Sequence, residues 1–130
     1  MKATILINFL ALVFLTACGP TTQTSQAQQP NVAKDITVQE FDKMDVSAYH
    51  LVDVRTPQEY AQGHIEGSVN IDWNGPGFME KMDELSKDKG VILYCRSGGR
   101  SASAMKKLSG SGYTELYNVL GGYMQYEKTH

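Results

Sequence analysis

Cys95 lies between an apolar run and the segment Arg-Ser-Gly-Gly-Arg-Ser. Only the thiolate form of cysteine is a strong nucleophile, and an ordinary thiol with a pKa near 8.5 is mostly protonated at neutral pH. Gly98 and Gly99 allow a tight turn in which successive backbone N–H groups point toward the sulfur. Arg96 and Arg100 add positive charge. The pattern therefore predicts an ionised nucleophile in a cradle that also binds a small anion.

The surroundings of this segment are basic, although the whole chain is slightly acidic. The formal net charge is −2 at pH 7, which provides no general basic surface and excludes a nucleic-acid partner. Residues 91–114 nevertheless lack Asp and Glu, and they contain Arg96, Arg100, Lys106 and Lys107. The alternative interpretation is a buried structural cysteine before an ordinary glycine turn, with these bases on a solvated helix face.

Hydrophobic patterning places Cys95 after a strand and before a helix. Apolar runs typical of strands lie at residues 49–54, 68–71, 91–94 and 115–119. Helical spacing occurs at residues 78–85, 101–108 and 123–128. Capping boxes at residues 37–40 and 56–59 predict two further helix starts, the second with proline at its first position.

This alternation of short strands and helices predicts an α/β fold with a mostly parallel central sheet covered by helices on both faces. In open sheets of this class, ligands bind beyond the carboxyl ends of the strands. Cys95 occupies such a position, so the topology and the chemistry indicate the same residue.

The N-terminal segment has the pattern of an export signal. Residues 5–15 form an apolar run after Lys2, too short for a membrane span of roughly 20 residues but typical of a signal-peptide core. The following Leu-Thr-Ala-Cys resembles the lipobox of bacterial lipoproteins, which implies that Cys18 is lipidated and begins the mature chain. We expect a signal peptide at residues 1–17, a flexible lipidated tether at 18–35 and a folded domain at 36–130. The alternative is an ordinary cleaved signal with an incidental cysteine.

Lipidation predicts an exported protein that is anchored in a membrane and faces the periplasm or the cell exterior. Gly19 stands where an aspartate is associated with inner-membrane retention, which favours the outer membrane in a source with two membranes. A lipidated Cys18 leaves Cys95 without a disulfide partner, and an idle thiol is a liability in an oxidising compartment.

Two blocks of the chain resemble single-domain rhodanese-like sulfurtransferases. The first is Leu-Val-Asp-Val-Arg at residues 51–55, with Glu59 and Gly-His-Ile-Glu-Gly at 63–67. The second is Tyr-Cys-Arg-Ser-Gly-Gly-Arg-Ser at residues 94–101, followed by Gly121 and Gly122. Together they cover nearly the whole predicted domain.

The resemblance implies that Cys95 takes sulfur from a small anion such as thiosulfate and forms a persulfide. The persulfide then passes its sulfur to a thiol, cyanide or protein acceptor. Arg100 would attract the donor anion, and the implied substrate-binding residues are Arg96, Ser97, Gly98, Gly99, Arg100 and Ser101. Neither a metal ion nor a cofactor is implied.

Other side chains of the two blocks permit more than one role. Asp53, Arg55, Glu59 and His64 could form an acid–base set, but we expect structural roles, with Arg55 paired to Glu59 and His64 half-buried. Asp53 could still approach the site from a strand end. Tyr126 stands where the family often has tryptophan and should fill similar space. Trp73 and Phe78 could line the site or belong to the core.

Two rival functions remain open. Related phosphatases and arsenate reductases have five residues between cysteine and arginine, whereas four separate Cys95 from Arg100. The shorter loop suits a sulfur atom better than a phosphate ester, and no general acid is evident nearby. The second rival is a non-catalytic or thiol-sensing rhodanese-like binding module. A binding module would tolerate replacement of Cys95, whereas a sensing role would use its thiol.

Overall fold

Short apolar runs become parallel strands, and the polar segments between them become helices and turns. The computed structural model describes residues 32–130. Its strands are β1 Val32–Ile36, β2 Tyr49–Asp53, β3 Val69–Asn70, β4 Gly90–Tyr94 and β5 Glu115–Val119. Its helices are α1 Val38–Phe41, α2 Pro57–Ala61, α3 Phe78–Asp83, α4 Gly99–Leu108 and α5 Gly122–Thr129, with a 3-10 turn at Val46–Ala48.

The strands form one sheet in the order β1-β5-β4-β2-β3, and every pairing in it is parallel. This confirms the predicted α/β fold. From β4 the chain continues through α4 to β5 on one side, and from β2 it continues through α2 to β3 on the other. The connections therefore diverge between β2 and β4, where Asp53 pairs in register with Tyr94. Open sheets form their ligand sites at such a divergence.

Alternating side chains of the buried central strand divide the core into two layers. Val91, Leu93 and Cys95 contribute to a cluster with residues of α3 and α4. Ile92 and Tyr94 contribute to the opposite cluster with residues of α1 and α5. Because successive strand side chains point to opposite faces, helices cover this sheet on both sides.

Both predicted capping boxes are confirmed. The Thr37 hydroxyl accepts from the Glu40 N–H at 3.1 Å, and the Glu40 carboxylate accepts from the Thr37 N–H at 2.7 Å. The corresponding distances for Thr56 and Glu59 are 3.2 and 3.0 Å. These reciprocal bonds satisfy N–H groups that a helix start otherwise leaves unpaired.

The folded domain begins earlier in the chain than the sequence pattern predicts. β1 pairs with β5 from Val32 to Ile36, so the sheet includes residues 32–35, which the pattern places in the tether. The sequence of β1 does not have the pattern of a strand, because its only large apolar residues stand at its two ends and the three positions between them are exposed. Cys18, the signal peptide and the rest of the tether lie outside the described residues. Within residues 32–130, no helix has the length and apolar character needed to cross a membrane.

Candidate active site

Cys95 directly follows β4, the strand whose carboxyl end lies at the divergence in the sheet. Its side chain is 1% exposed, and among the described residues it forms no disulfide. Arg96, Ser97 and Gly98 form the loop that follows, while Gly99, Arg100 and Ser101 are the first turn of α4. The seven residues singled out in the sequence are thus one continuous strand–loop–helix junction, which we call the Cys95 loop.

Hydrogen-bond donors converge on the sulfur. The Gly98 N–H donates to Sγ at 3.1 Å, and the Ser101 hydroxyl lies 3.3 Å from it. Gly98 has a φ of 104°, a conformation that glycine adopts without the clash a side chain would introduce. The turn therefore directs a backbone N–H toward the sulfur, as expected for an anion-binding loop.

Opposing effects act on the ionisation of Cys95, and their net result is a lowered pKa. Burial of the thiol acts to raise the pKa, because an apolar environment disfavours the charged form. Hydrogen bonds from the Ser101 hydroxyl and from the N–H groups of Ser101, Gly98 and Ser97 outweigh this effect. At a given pH, the loop thus makes a larger fraction of Cys95 ionised than in an ordinary cysteine.

The start of α5 holds the outer side of the Cys95 loop. The Tyr123 N–H donates to the Cys95 carbonyl at 2.8 Å, and the Met124 N–H donates to the Arg96 carbonyl at 3.0 Å. Gly122 makes this approach possible, since a Cβ there would lie 2.3 Å from the Cys95 carbonyl oxygen. With their carbonyls fixed outward, the loop peptides present their N–H groups inward.

Arg100 is bound to a carboxylate instead of facing an open anion site. Its guanidinium makes two hydrogen bonds of 2.8 Å to Glu59 on α2. The Arg100 bonds are the main cause that lowers the pKa of Glu59 to about 2. Because the same carboxylate caps α2 through Thr56, the pair fixes the first turn of α4 against the start of α2.

The predicted pairing of Arg55 with Glu59 is wrong. Arg55 instead forms a buried bidentate pair with Asp53, with an Nη2–Oδ2 distance of 2.6 Å. Arg55 precedes α2, so the helical four-residue spacing does not apply; two residues along an extended chain share a face instead. The guanidinium also donates to the Gly63 carbonyl at 2.7 Å and lies 4.3 Å from the Tyr123 ring centroid. The pair therefore connects β2 to α5.

His64 is exposed, not half-buried as predicted. Its ring stacks on Tyr60 at a centroid distance of 3.7 Å and its Nδ1 lies 2.9 Å from the Tyr60 carbonyl. His64 follows the end of α2, and the two rings meet there on the surface. Like Asp53, it takes part in local contacts that hold the first block in place.

The remaining aromatic residues have packing roles. Phe78 is buried in the cluster that contains Cys95, and Trp73 packs at the edge of that cluster with its ring edge-on to Phe78, at 5.0 Å. Tyr126 contacts Phe41 at a centroid distance of 6.3 Å and joins α5 to α1.

A cleft of about 270 Å³ opens beside the Cys95 loop, between the start of α5 and the segment after α2. Its lining includes Arg96, Gln62, Met124 and Glu127. Arg96 is exposed, unlike the paired Arg55 and Arg100. It therefore presents a solvent-accessible cationic group of the loop at this cleft.

The rhodanese-like domain family matches residues 37–129. The chain belongs to the rhodanese-like family. A relative, protein YqhL of Bacillus subtilis, described as uncharacterized, is 33% identical over 92% of each chain. The chloroplastic thiosulfate sulfurtransferase 16 of Arabidopsis thaliana is 29% identical, over 78% of this chain and 93% of its own. A rhodanese-related crystal structure from Thermoplasma volcanium has a TM-score of 0.65 and 32% identity, covering 75% of this chain and 94% of its own.

Two contributors to this site are not among the site residues that the sequence predicts. Asn118 on β5 contacts Ser101, and the start of α5 binds the loop carbonyls. The glycine pair at 121–122 is a local signal for the close approach of α5. Asn118 has no such signal, because its contact with α4 joins residues 17 positions apart.

Proposed function

We propose that this rhodanese-like protein is a thiosulfate sulfurtransferase that works through a persulfide on Cys95. The observation that carries this proposal is the Cys95 loop, in which a buried thiol with a lowered pKa receives hydrogen bonds from the start of a helix. The likeness to proteins named sulfurtransferases supports the same chemistry.

In the first half-reaction, the Cys95 thiolate attacks the outer sulfur of thiosulfate. The new bond joins Sγ to that sulfur, the sulfur–sulfur bond of thiosulfate breaks, and sulfite leaves with the electron pair. The persulfide charge then lies on the outer sulfur, close to the N–H groups of the loop. No metal ion, cofactor or external oxidant is needed for this exchange.

In the second half-reaction, a thiolate, cyanide or protein thiol attacks the outer sulfur. The bond to Sγ breaks and its electron pair returns to Cys95, which regenerates the thiolate. Arg96, being exposed at the cleft, is better placed than Arg100 to attract an anionic donor. Arg100 acts instead by fixing the loop to α2.

The geometry gives less support to a phosphatase. A phosphate cradle needs a guanidinium directed at the phosphate oxygens, whereas Arg100 is engaged by Glu59. A non-catalytic binding module requires no lowered thiol pKa, so the Cys95 loop favours a transferase over that alternative as well. A thiol sensor also uses a low-pKa cysteine, and uptake of sulfur from thiosulfate is what distinguishes it from a transferase.

The decisive experiment is the intact mass of the purified protein before and after thiosulfate treatment, without reducing agent. We expect the gain of one sulfur atom and its removal by cyanide as thiocyanate. Cys95→Ser should gain none, whereas Cys18→Ser, which removes the other cysteine, should gain it normally. Absence of added sulfur on a protein whose Cys95 is demonstrably a free thiol would contradict the proposal and favour a binding or sensing module.

We further propose that Cys18 carries a lipid that anchors the protein to a membrane, facing the periplasm or the cell exterior. The basis is the signal-like apolar run and the Leu-Thr-Ala-Cys motif at residues 15–18. The acceptor would then be a thiol or thiophile of that compartment.

A further inference from the structure

A buried chain of polar side chains connects the sulfur of Cys95 to the protein surface. The Ser101 Oγ lies 3.3 Å from Sγ and 2.6 Å from Asn118 Oδ1. The Asn118 Nδ2 donates to Asp35 Oδ1 at 2.8 Å. Ser101 and Asn118 are 0% and 1% exposed, whereas Asp35 on β1 is exposed. Polar groups so fully buried must be paired with one another.

Asp35 determines the orientation of the Asn118 amide. A carboxylate is only an acceptor, so the Asn118 group facing it at 2.8 Å must be the NH₂ donor. The amide oxygen then faces Ser101 and can only accept. The short contact of 2.6 Å is therefore a hydrogen bond donated by the Ser101 hydroxyl.

The Ser101 hydroxyl has one proton and three acceptors within reach. These are Asn118 Oδ1 at 2.6 Å, the Gly98 carbonyl at 3.2 Å and Cys95 Sγ at 3.3 Å. While the proton lies on the bond to Asn118, Ser101 presents a lone pair to the sulfur. That arrangement accepts a hydrogen bond from a thiol but gives none to a thiolate.

We propose that Asn118 is a positioning residue of the transfer site: it competes with Cys95 for the hydroxyl proton of Ser101. The Ser101 hydroxyl donates to the sulfur, and no longer to Asn118, only when negative charge develops on Sγ. This inference deepens the proposed function and rests on it for its role in transfer, although the competition itself concerns only the thiol.

The two half-reactions use the two hydroxyl orientations in turn. In the persulfide, charge lies on the outer sulfur, Sγ is neutral, and the hydroxyl donates to Asn118. When an acceptor attacks the outer sulfur, the electron pair returns to Sγ and the hydroxyl rotates to donate to the leaving thiolate. Hydrogen bonds to charged acceptors are stronger than neutral ones, so the rotation follows the charge. No proton leaves Ser101 in either step.

Charged and titratable groups lie around the sulfur, and the experiment must hold them constant. They are Arg96 in the loop, Arg100 on α4 with Glu59 on α2, the Arg55–Asp53 pair after β2, Tyr123 on α5, and Asp35 itself. Asn118→Leu leaves every one of these groups in place; it removes the competing acceptor, together with the Nδ2 donor to the exposed Asp35 carboxylate.

The test is the rate of Cys95 alkylation by iodoacetamide as a function of pH, in the Cys18→Ser protein. Asn118→Leu should move the midpoint of this profile about one pH unit lower, because the freed hydroxyl then donates to the thiolate. Ser101→Ala should move it higher. In the Ser101→Ala background, Asn118→Leu should cause no further shift, since no hydroxyl remains to redirect.

Asp35→Asn provides a second, exposed variant in case the buried replacement prevents folding. An amide at residue 35 accepts either orientation of Asn118, so the midpoint should fall by a smaller amount. Loss of charge alone would lower the midpoint equally with and without Ser101, whereas hydroxyl reorientation predicts a larger fall when Ser101 is present.

The proposal is overturned if folded Asn118→Leu leaves or raises the midpoint, or if either shift is as large in the Ser101→Ala background as it is with Ser101 present. Alkylation requires no sulfur donor. Failure of this test is therefore distinct from failure of the proposed sulfurtransferase activity, which the mass measurement reports.

Discussion

At the scale of single residues, two arginine–carboxylate pairs fix the segments that surround the Cys95 loop. Asp53 and Arg55 are both almost fully buried, and each of their buried side-chain nitrogen and oxygen atoms has a hydrogen-bond partner. Glu59 and Arg100 are more exposed, with side chains 28% and 27% accessible, yet their geometry is bidentate. A buried ion pair adds little net stability, because removing its charges from water is costly, but it orients the two segments that it joins. The Glu59–Arg100 pair therefore fixes the first turn of α4 against α2, and the Asp53–Arg55 pair joins β2 to α5.

The Glu59–Arg100 pair predicts a pH-dependent loss of stability in Glu59→Gln. The folded pKa of Glu59, about 2, lies below its ordinary value of 4.5. Ionised Glu59 therefore stabilises the fold above about pH 4.5, and this contribution disappears as the pH falls toward 2. We expect Glu59→Gln to lower the free energy of unfolding at pH 7 by about 1 kcal/mol.

Urea unfolding at a series of pH values measures this difference between the two proteins. The difference should shrink as the medium is acidified below pH 4.5. Glu84→Gln, at an exposed position after α3, is the matched control and should be nearly neutral throughout. A Glu59→Gln deficit that stays constant with pH would contradict the assigned ionisation.

At the scale of elements, the site depends on two helix starts that meet at one strand end. α4 directs N–H groups at the sulfur, and α5 binds the carbonyls of the same loop. The close approach of α5 requires a residue without a side chain at position 122, where φ is 55°. This contact fixes the loop before any substrate arrives, which is the preorganisation that charge stabilisation needs.

Gly122→Ala should therefore damage the site more than an ordinary glycine replacement. Its Cβ would lie 2.3 Å from the Cys95 carbonyl oxygen and 2.7 Å from the Arg96 carbonyl. We expect a lower thermal midpoint and slower Cys95 alkylation at pH 7, because the N–H groups of the loop shift away from the sulfur.

Gly112→Ala is the matched control, since Gly112 also has a positive φ, of 92°, but has no atom within 4 Å of the added Cβ. It should show only the backbone penalty of about 1–2 kcal/mol and normal alkylation. Equal effects of the two variants would show that the contact between α5 and the loop is unimportant.

At the scale of the whole molecule, the all-parallel sheet brings together segments far apart in sequence. β2 and β4 lie side by side, so the first block, at residues 51–67, and the second, at 94–101, meet at the divergence of the connections. β1 then pairs with β5, which places Asp35 beside Asn118. The N-terminal strand is therefore connected to the Cys95 loop through Asn118 and Ser101, and the proposed lipid anchor precedes this strand in the chain.

The proposed anchor predicts a mature chain that begins at Cys18 and carries a lipid. In a bacterial host that processes lipoproteins, the protein should partition into detergent, and intact mass should show the acylated cysteine. Cys18→Ser should lose both properties, while Cys95→Ser should keep them. A mature wild-type chain without lipid would refute the anchor and favour an ordinary cleaved signal or an uncleaved segment.

The sequence by itself determined the local structure around the site. Capping boxes at Thr37 and Thr56, the apolar run before Cys95 and the glycines after it specify elements through contacts between near neighbours, so they could be predicted. The parallel α/β class followed from the order of these elements.

Only the tertiary structure decided which distant groups meet. Glu59 pairs with Arg100, 41 positions away, and not with Arg55. Asn118 reaches Ser101 from β5, and Asp35 fixes its amide from β1. The residues next to a side chain in the sequence do not predict such contacts, because strand order and register create them. For the same reason β1 could not be predicted from its own residues, because its pairing with β5 defines it as a strand.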